Sequence, residues 1–306
     1  MIAVIYYAYG APKSIDDIES YFSHILNGKP VPEPMLKDIE SMFTKSGFPD
    51  FIRSSTERIA NALQTVLSDQ LNEEVRVWPA YKHTAPFVAN VFEYAIQMGA
   101  TTIVTLSVNP ILSVNGGGAV HTEISQLVKG KDVRHIAIDN WYLDEGIVSV
   151  YADRVRRAFE WLPVAAQKSA YVLFTVHSQP INEEVNEPYV KQFNELATAI
   201  ANKASIQNYK TVYRSGRKTG WLAPDVKESM TELHNAGVGG FVTCELLSIS
   251  ADVESFHEIN AECREYANLL NASFAVSEFP SDSFDTVMAL SALIQKHIHD
   301  SLLSIG

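Results

Sequence analysis

The chain has 306 residues, a formal net charge of −12, a pI near 5.2 and two cysteines. Its acidic balance argues against a surface for nucleic acid or anionic membranes, and its length allows two medium domains or one large one. We find no signal-peptide pattern and no run of about 20 apolar residues, so we expect a cytoplasmic protein without stable membrane insertion. Cys244 and Cys263 lack metal-ligand spacing, which favours ordinary reduced thiols.

Short β-branched or aromatic runs alternate with longer amphipathic stretches along the whole chain. Strands are predicted at 2–9, 75–81, 101–108, 133–139, 170–176, 209–214, 239–246 and 272–277. Helices are predicted at 15–26, 33–45, 54–72, 87–98, 119–129, 147–161, 183–204, 225–236, 252–270 and 283–303. Continuous apolar runs such as Tyr171-Val172-Leu173-Phe174 are typical of strands covered on both faces, so the alternation predicts parallel sheets.

Four of these strands precede residue 145 and four follow residue 168, which predicts two similar halves. The expected fold class is α/β, with two Rossmann-like domains that are each a four-stranded parallel sheet flanked by helices. We expect an N-terminal domain over 1–146 and a C-terminal domain over 147–306, with the helix at 147–161 as the bridge. Ligands of such sheets bind beyond the carboxyl ends of the strands, and a cleft between two such domains is the default site.

One candidate site combines His177, at the end of an apolar strand, with Glu254, Glu258 and Glu262 on a helix. An imidazole and a row of carboxylates suit Fe(II), Mn(II), Zn(II) or hydrated Mg(II), and they also move protons. Like charges four residues apart repel each other along a helix, and a cation relieves that repulsion. Taken separately, each part has a simpler interpretation, namely a core histidine and the solvent-facing side of an amphipathic helix.

Two further segments are candidate binding sites. The triple glycine at 116–118 matches neither a Walker A sequence nor a dinucleotide fingerprint, and we interpret it as a flexible loop. The basic cluster Arg214-Ser215-Gly216-Arg217-Lys218 either attracts an anionic substrate or forms a solvated loop. Neither a Ser–His–Asp order nor a glycine-framed nucleophile supports hydrolase chemistry.

Read in order, several segments resemble the ferrochelatase family, most closely the coproporphyrin III ferrochelatases of Gram-positive bacteria. The matching segments are Ala8-Tyr9-Gly10-Ala11-Pro12, 17–22 with Gly28-Lys29, Lys82-His83 with Pro86-Phe87, Trp141-Tyr142 with Asp153-Arg154-Val155, His177-Ser178-Gln179-Pro180 with Pro188-Tyr189, 221–226 and the helix at 254–263. The similarity is collinear over nearly the whole chain, which makes it more specific than any one motif.

The resemblance implies two Rossmann-like domains with a porphyrin cleft between them, in agreement with the two predicted halves. It implies a lyase-class metal chelatase that inserts Fe(II) into coproporphyrin III in haem biosynthesis, with protoporphyrin IX as a further candidate substrate. We also expect a monomer with no permanently bound cofactor and no nucleic-acid partner. Two alternatives stay open: a chelatase for another tetrapyrrole such as sirohydrochlorin, and a non-catalytic relative that binds a tetrapyrrole or haem.

The resemblance also assigns roles to residues. His177 and Glu254 match the two central catalytic residues, which face each other at the metal-insertion point. Glu258 and Glu262 match an acidic line that leads metal inward, and the outer part of that line is a candidate site for Mg(II) or another divalent ion. The implied porphyrin contacts are Tyr9, Lys82, His83 and Trp221. Whether His177 or Glu254 is the base, and which is the metal ligand, is left open by the sequence.

Several positions depart from the family pattern. The segment Gly47-Phe48-Pro49-Asp50-Phe51-Ile52 replaces a Gly-Gly-x-Ser-Pro-Leu stretch, and Leu26 and Met42 stand where arginines are expected. Ala251-Asp252 replaces an Asp-His pair before Glu254, so that Asp252 or His257 is a candidate substitute for the missing histidine. These changes remove positive charge that would complement the propionates of a porphyrin.

Overall fold

A computed structural model describes residues 1–47, 50–216 and 219–303 of the chain. Two residues of the basic cluster, Arg217 and Lys218, lie outside the described residues. The same holds for Phe48 and Pro49 of the segment that departs from the family pattern.

The chain alternates strands and helices from end to end. The first elements are β1 (Ile2–Ala8), α1 (Ile18–Ile25), α2 (Glu33–Ser46), α3 (Phe51–Gln70), β2 (Val75–Tyr81), α4 (Val88–Gln97), β3 (Thr102–Ser107), α5 (Ala119–Leu127) and β4 (Arg134–Ile138). The next are α6 (Glu145–Glu160), α7 (Val164–Gln167), β5 (Tyr171–His177), α8 (Glu183–Ala204), β6 (Tyr209–Arg214), α9 (Val226–Asn235) and β7 (Gly240–Glu245). The last are α10 (Val253–Phe256), α11 (Cys263–Leu269), β8 (Ser273–Val276) and α12 (Phe284–Leu303), and short 3-10 and π-helical segments lie at Ile15–Asp17, Val114–Gly118 and His257–Glu262.

The eight strands form two four-stranded sheets in which all pairs are parallel, with the orders β2-β1-β3-β4 and β6-β5-β7-β8. All seven residues of β1 are buried, and so are the six of β7, as expected for strands covered by helices on both faces. The predicted α/β class with two four-stranded parallel sheets is therefore confirmed. The short helix α7 was not predicted.

The chain divides into two compact units, which are 1–139 with 281–306, and 140–280. These units differ from the predicted division into 1–146 and 147–306 in two respects. Helix α6, including its start at Glu145, belongs wholly to the second unit, where it packs on α8. Helix α12 belongs to the first unit because it packs on α3 and β4, burying Leu290 and Ile294.

The helices that follow β5, β6 and β7 in the second unit begin at side-chain caps. The Asn182 side chain accepts a hydrogen bond from the Val185 amide at the start of α8, and the Asp225 side chain caps α9 in the same way. Asp252 caps α10 by accepting a hydrogen bond of 2.7 Å from the Ser255 amide. These caps fix where each helix begins relative to the strand end before it. Among the described residues, no helix is long and apolar enough to cross a membrane.

Candidate active site

His177 is the last residue of β5, the strand next to both β6 and β7 in the second sheet. Its Nδ1 lies 2.5 Å from the Ser178 carbonyl oxygen, and because a carbonyl only accepts, Nδ1 carries the hydrogen of this bond. In the neutral imidazole the lone pair is therefore on Nε2. The Tyr189 hydroxyl donates to the His177 carbonyl at 2.9 Å, which fixes the strand end.

The Nε2 atom of His177 lies 3.6 Å from Glu254 Oε2. Glu254 is the second residue of α10, and its side chain is 45% exposed. Asp252, one candidate substitute for the missing histidine, caps this helix, and its carboxylate therefore has a structural role. The other candidate, His257, has its Nε2 3.3 Å from Glu262 Oε1 and so pairs with the outer glutamate.

A buried ion pair lies behind these two residues. Arg214, at the end of β6, and Glu245, at the end of β7, have side chains that are only 3% and 1% exposed. Arg214 Nε donates to Glu245 Oε2 at 2.9 Å and its Nη2 donates to Oε1 at 3.4 Å. Burial alone would lower the pKa of Arg214, but Glu245 and the other nearby carboxylates raise it by more than burial lowers it. The pKa is therefore above its ordinary value, and the guanidinium stays charged.

Glu258 lies one turn beyond Glu254, in the π-helical segment. Its Oε2 accepts hydrogen bonds from Ser215 Oγ at 2.5 Å and from Arg214 Nη1 at 3.4 Å. Burial raises the pKa of Glu258 to about 7; Arg214 lowers it and the nearby Glu254 raises it. The innermost part of the acidic line therefore combines one exposed and one largely buried carboxylate.

Glu262 has cationic or titratable partners of its own. It forms an ion pair with Lys227 of α9, in addition to its contact with His257. No group of three or more His, Cys, Asp and Glu side chains within 1–47, 50–216 and 219–303 is arranged to hold a metal ion. The four predicted metal ligands, His177 and the three glutamates, thus do not form a ready-made metal site, and their roles with an incoming metal stay predictions.

Trp221 lies beside His177 in the same unit. The two ring centroids are 6.4 Å apart at an interplanar angle of 49°. The backbone of Trp221 forms an antiparallel bridge with Pro180, just after the strand that carries His177. An indole held at this distance provides a flat apolar surface next to the imidazole.

Tyr9, Lys82 and His83 lie together in the first unit, at the carboxyl ends of β1 and β2. The rings of Tyr9 and His83 are 4.3 Å apart, and Lys82 Nζ lies 5.5 Å from the centre of the Tyr9 ring. Burial lowers the pKa of His83 to about 3, and the neighbouring Lys82 and His24 add to the shift. His83 is therefore neutral at ordinary pH, whereas the ammonium of Lys82 is the local positive charge.

A cavity of about 910 Å³ adjoins this group of three residues. Its lining includes the three side chains and also Phe87, Glu123 and His24, a residue that the sequence did not single out. His24 Nδ1 lies 2.8 Å from His83 Nδ1, so that one of the two nitrogens donates to the other. Leu26, where an arginine is expected, is the C-cap residue of α1, two residues after His24.

Sequence reasoning also missed the buried Arg214–Glu245 pair. The interpretation of Arg214 as part of a basic cluster predicts a side chain open to solvent or to an anionic substrate, and the structure instead buries it against Glu245. One signal was present, since Arg214 ends a predicted strand and Glu245 is the last residue but one of another, at the edge where sites form. What could not be deduced was the strand order that places β6 and β7 on either side of β5.

Comparison with known proteins finds a family model and relatives that agree with one another. A family model described as ferrochelatase matches residues 1–298. The chain is 27% identical to coproporphyrin III ferrochelatase 2 of Bacillus cereus, over 98% of this chain and 95% of that protein. It is 26% identical to the coproporphyrin III ferrochelatase of Bacillus subtilis, over 95% and 96% of the two chains.

Solved structures with the same fold include SirB from Bacillus subtilis with Fe³⁺, at a TM-score of 0.61 and 15% identity over 98% of this chain and 96% of that one. A second is the sirohydrochlorin chelatase SirB from Bacillus subtilis subspecies spizizenii in complex with cobalt, at 0.58 and 12% over 97% and 94%. At such identities the likeness concerns the fold alone. The family match covers nearly the whole chain, and the protein therefore belongs to the ferrochelatase family.

Proposed function

We propose that this protein is a metal chelatase that inserts Fe(II) into coproporphyrin III, with His177 and Glu254 as its catalytic residues. The observation that carries the proposal is the approach of His177 Nε2 to Glu254 Oε2 at 3.6 Å, in a chain that matches the ferrochelatase family from residue 1 to 298. The assignment of coproporphyrin III as substrate is supported by the names of the Bacillus relatives.

Metal insertion replaces two pyrrole protons of the macrocycle with one divalent ion. A base must take up protons, and another group must replace the water that the ion loses. His177 suits the first task because its Nδ1–H donates to Ser178, which leaves the lone pair on Nε2. Glu254 suits the second because it is half-exposed and a carboxylate is a favourable oxygen ligand for Fe(II).

We propose that Tyr9, Lys82, His83 and Trp221 contact the porphyrin. The ammonium of Lys82 is suited to a propionate, and the aromatic rings of Tyr9 and Trp221 are suited to the flat face of a macrocycle. Leu26 supplies no positive charge near this group. Recognition of propionates in the first unit would therefore depend chiefly on Lys82.

A resident Mg(II) at the outer glutamates does not form part of the proposal. Glu258 accepts hydrogen bonds from Ser215 and Arg214, and Glu262 is paired with Lys227 and His257, so that both carboxylates already have partners. A cytoplasmic location, a monomeric state and a porphyrin cleft that uses both halves of the chain stay predictions.

The test is an anaerobic incubation of the purified protein with coproporphyrin III and Fe(II), and in parallel with Zn(II). We expect the free-base spectrum to be replaced by that of the metalloporphyrin, and His177→Ala to abolish this change. The same assay with protoporphyrin IX and with sirohydrochlorin ranks the substrates. Binding of coproporphyrin III without insertion would contradict the proposal and favour a non-catalytic tetrapyrrole-binding relative.

A further inference from the structure

The buried guanidinium of Arg214 contacts two carboxylates of the acidic line, those of Glu254 and Glu258. Its Nη1 atom lies 3.7 Å from Glu254 Oε2 and 3.4 Å from Glu258 Oε2. The Arg214 side chain is 3% exposed, whereas Glu254 beside it is 45% exposed. One permanent positive charge inside the protein therefore interacts with two carboxylates at the proposed metal-insertion point.

The sheet explains why Arg214 is held at this point. Arg214 is the register partner of His177, and Glu245 is the register partner of Thr175, two residues earlier on the same strand. Register partners and residues two apart share one face of a sheet, so the four side chains lie on the same face. Thr175 is small enough for the arginine to cross β5 and reach Glu245.

The carboxylate of Glu245 is held in place by four hydrogen bonds. It accepts two hydrogen bonds from Arg214, one of 2.7 Å from the Thr175 hydroxyl and one of 3.3 Å from the Leu247 amide. A carboxylate with these partners fixes the orientation of the guanidinium, because a planar fork bound through Nε and Nη2 cannot rotate. The third nitrogen, Nη1, is thereby directed at Glu254 and Glu258.

We infer that Arg214 is a positioning residue that keeps divalent metal from settling between Glu254 and Glu258, so that the protein takes up metal only when a porphyrin supplies further ligands. A cation that bridged these two carboxylates would lie within a few ångströms of Nη1, and like charges at that distance repel strongly in a half-buried site. The charge of Arg214 instead neutralises Glu254 and Glu258 from the protein interior, and the two carboxylates stay available to bind metal while it is transferred to the porphyrin. The link to porphyrin rests on the proposed function, whereas the exclusion of metal does not.

The first experiment measures Zn(II) and Mg(II) binding by titration calorimetry in the absence of porphyrin. Arg214→Gln alone leaves Glu245 buried without its cation, which risks unfolding, so the decisive variant is Arg214→Gln/Glu245→Gln. It keeps the net charge of the chain, and circular dichroism and urea unfolding confirm that it is folded. We expect Zn(II) to bind the double variant at least about tenfold more tightly than the wild type.

Two further variants locate the effect. Adding Glu254→Gln to the double variant should remove the gain in Zn(II) affinity, because one of the two ligands is lost. Arg214→Lys keeps the positive charge without the planar fork, and should bind Zn(II) as weakly as the wild type. A merely structural role for Arg214 would not give this pattern.

A folded double variant whose Zn(II) affinity lies within twofold of the wild type would overturn the inference. So would tight binding of Zn(II) or Mg(II) to the wild type that Glu254→Gln abolishes. Because these titrations contain no porphyrin, failure of the insertion assay would refute the proposed function and leave the metal-exclusion result intact.

Discussion

The two sheets have equivalent strand orders but bury different groups at their carboxyl edges. In the first sheet the buried pair at this edge is neutral: the Tyr7 hydroxyl lies 3.3 Å from His121 Nε2, and burial raises the pKa of Tyr7 and lowers that of His121. In the second sheet the corresponding edge buries the Arg214–Glu245 ion pair beside His177. The comparison shows that one topology supports a neutral edge and a charged one, and that the residue types at the strand ends decide which forms.

The largest expected effect is on folding stability. Glu245→Gln leaves the buried Arg214 without its anionic partner, and we expect it to lower the free energy of unfolding by about 3 kcal/mol. Tyr7→Phe, at the neutral edge, is the matched control and should cost about 1 kcal/mol. Urea unfolding of both variants measures the difference. Equal losses would mean that the two edges do not differ energetically in the way that the buried charges indicate.

The next effect is on metal insertion. Glu254→Gln keeps the shape of the side chain but removes its charge, and we expect the insertion rate to fall at least about 100-fold. Glu265→Gln, an exposed position on α11, is the control and should leave the rate unchanged. The anaerobic spectral assay compares the two. Near-normal turnover of Glu254→Gln would remove this residue from the catalytic assignment.

The smallest expected effect is a pH dependence in the first unit. Burial lowers the pKa of His135 on β4 from 6.5 to about 4, and its Nε2 lies 2.9 Å from Thr105 Oγ1. The folded state binds a proton at His135 more weakly than the unfolded state does. The free energy of unfolding is therefore at its full value above pH 6.5, and part of it is lost as the pH falls towards about 4.

His135→Gln should therefore flatten the fall in stability between these pH values by about 1–2 kcal/mol, as measured by urea unfolding at a series of pH values. The exposed His299→Gln on α12 serves as the control. An unchanged slope in His135→Gln would show that this histidine does not contribute to the acid sensitivity of the first unit.

The fold could be predicted from the sequence because its strands are buried on both faces. The run of β1 is apolar throughout, and that pattern differs clearly from the amphipathic helices around it. The path of α12 could not be predicted, since a helical pattern shows which face is apolar but not which sheet receives it.

The candidate site was predictable only in part. The residue types and their spacing indicated His177 and Glu254 as candidates, the resemblance to a family implied their paired role, and the structure brings their side chains to 3.6 Å. The helix predicted at 252–270 contains a π-helical segment, His257–Glu262, and six residues are too few for a distinct periodicity to be recognised. The partners of the glutamates come from β6 and α9, so they depend on tertiary packing and not on local sequence.

Helix α12 has a consequence for the order in which the protein is completed during synthesis. It joins α3 through Ser291 Oγ and Gln295 Nε2, which both donate to Gln70 Oε1, and the Arg58–Asp282 ion pair ties the segment just before α12 to α3. The second unit is one continuous stretch of chain, 140–280, whereas the first must wait for a helix that is translated after it. On the ribosome, the charged edge can therefore be complete while the flank of α3 is still open, although the residues of the neutral edge emerge first.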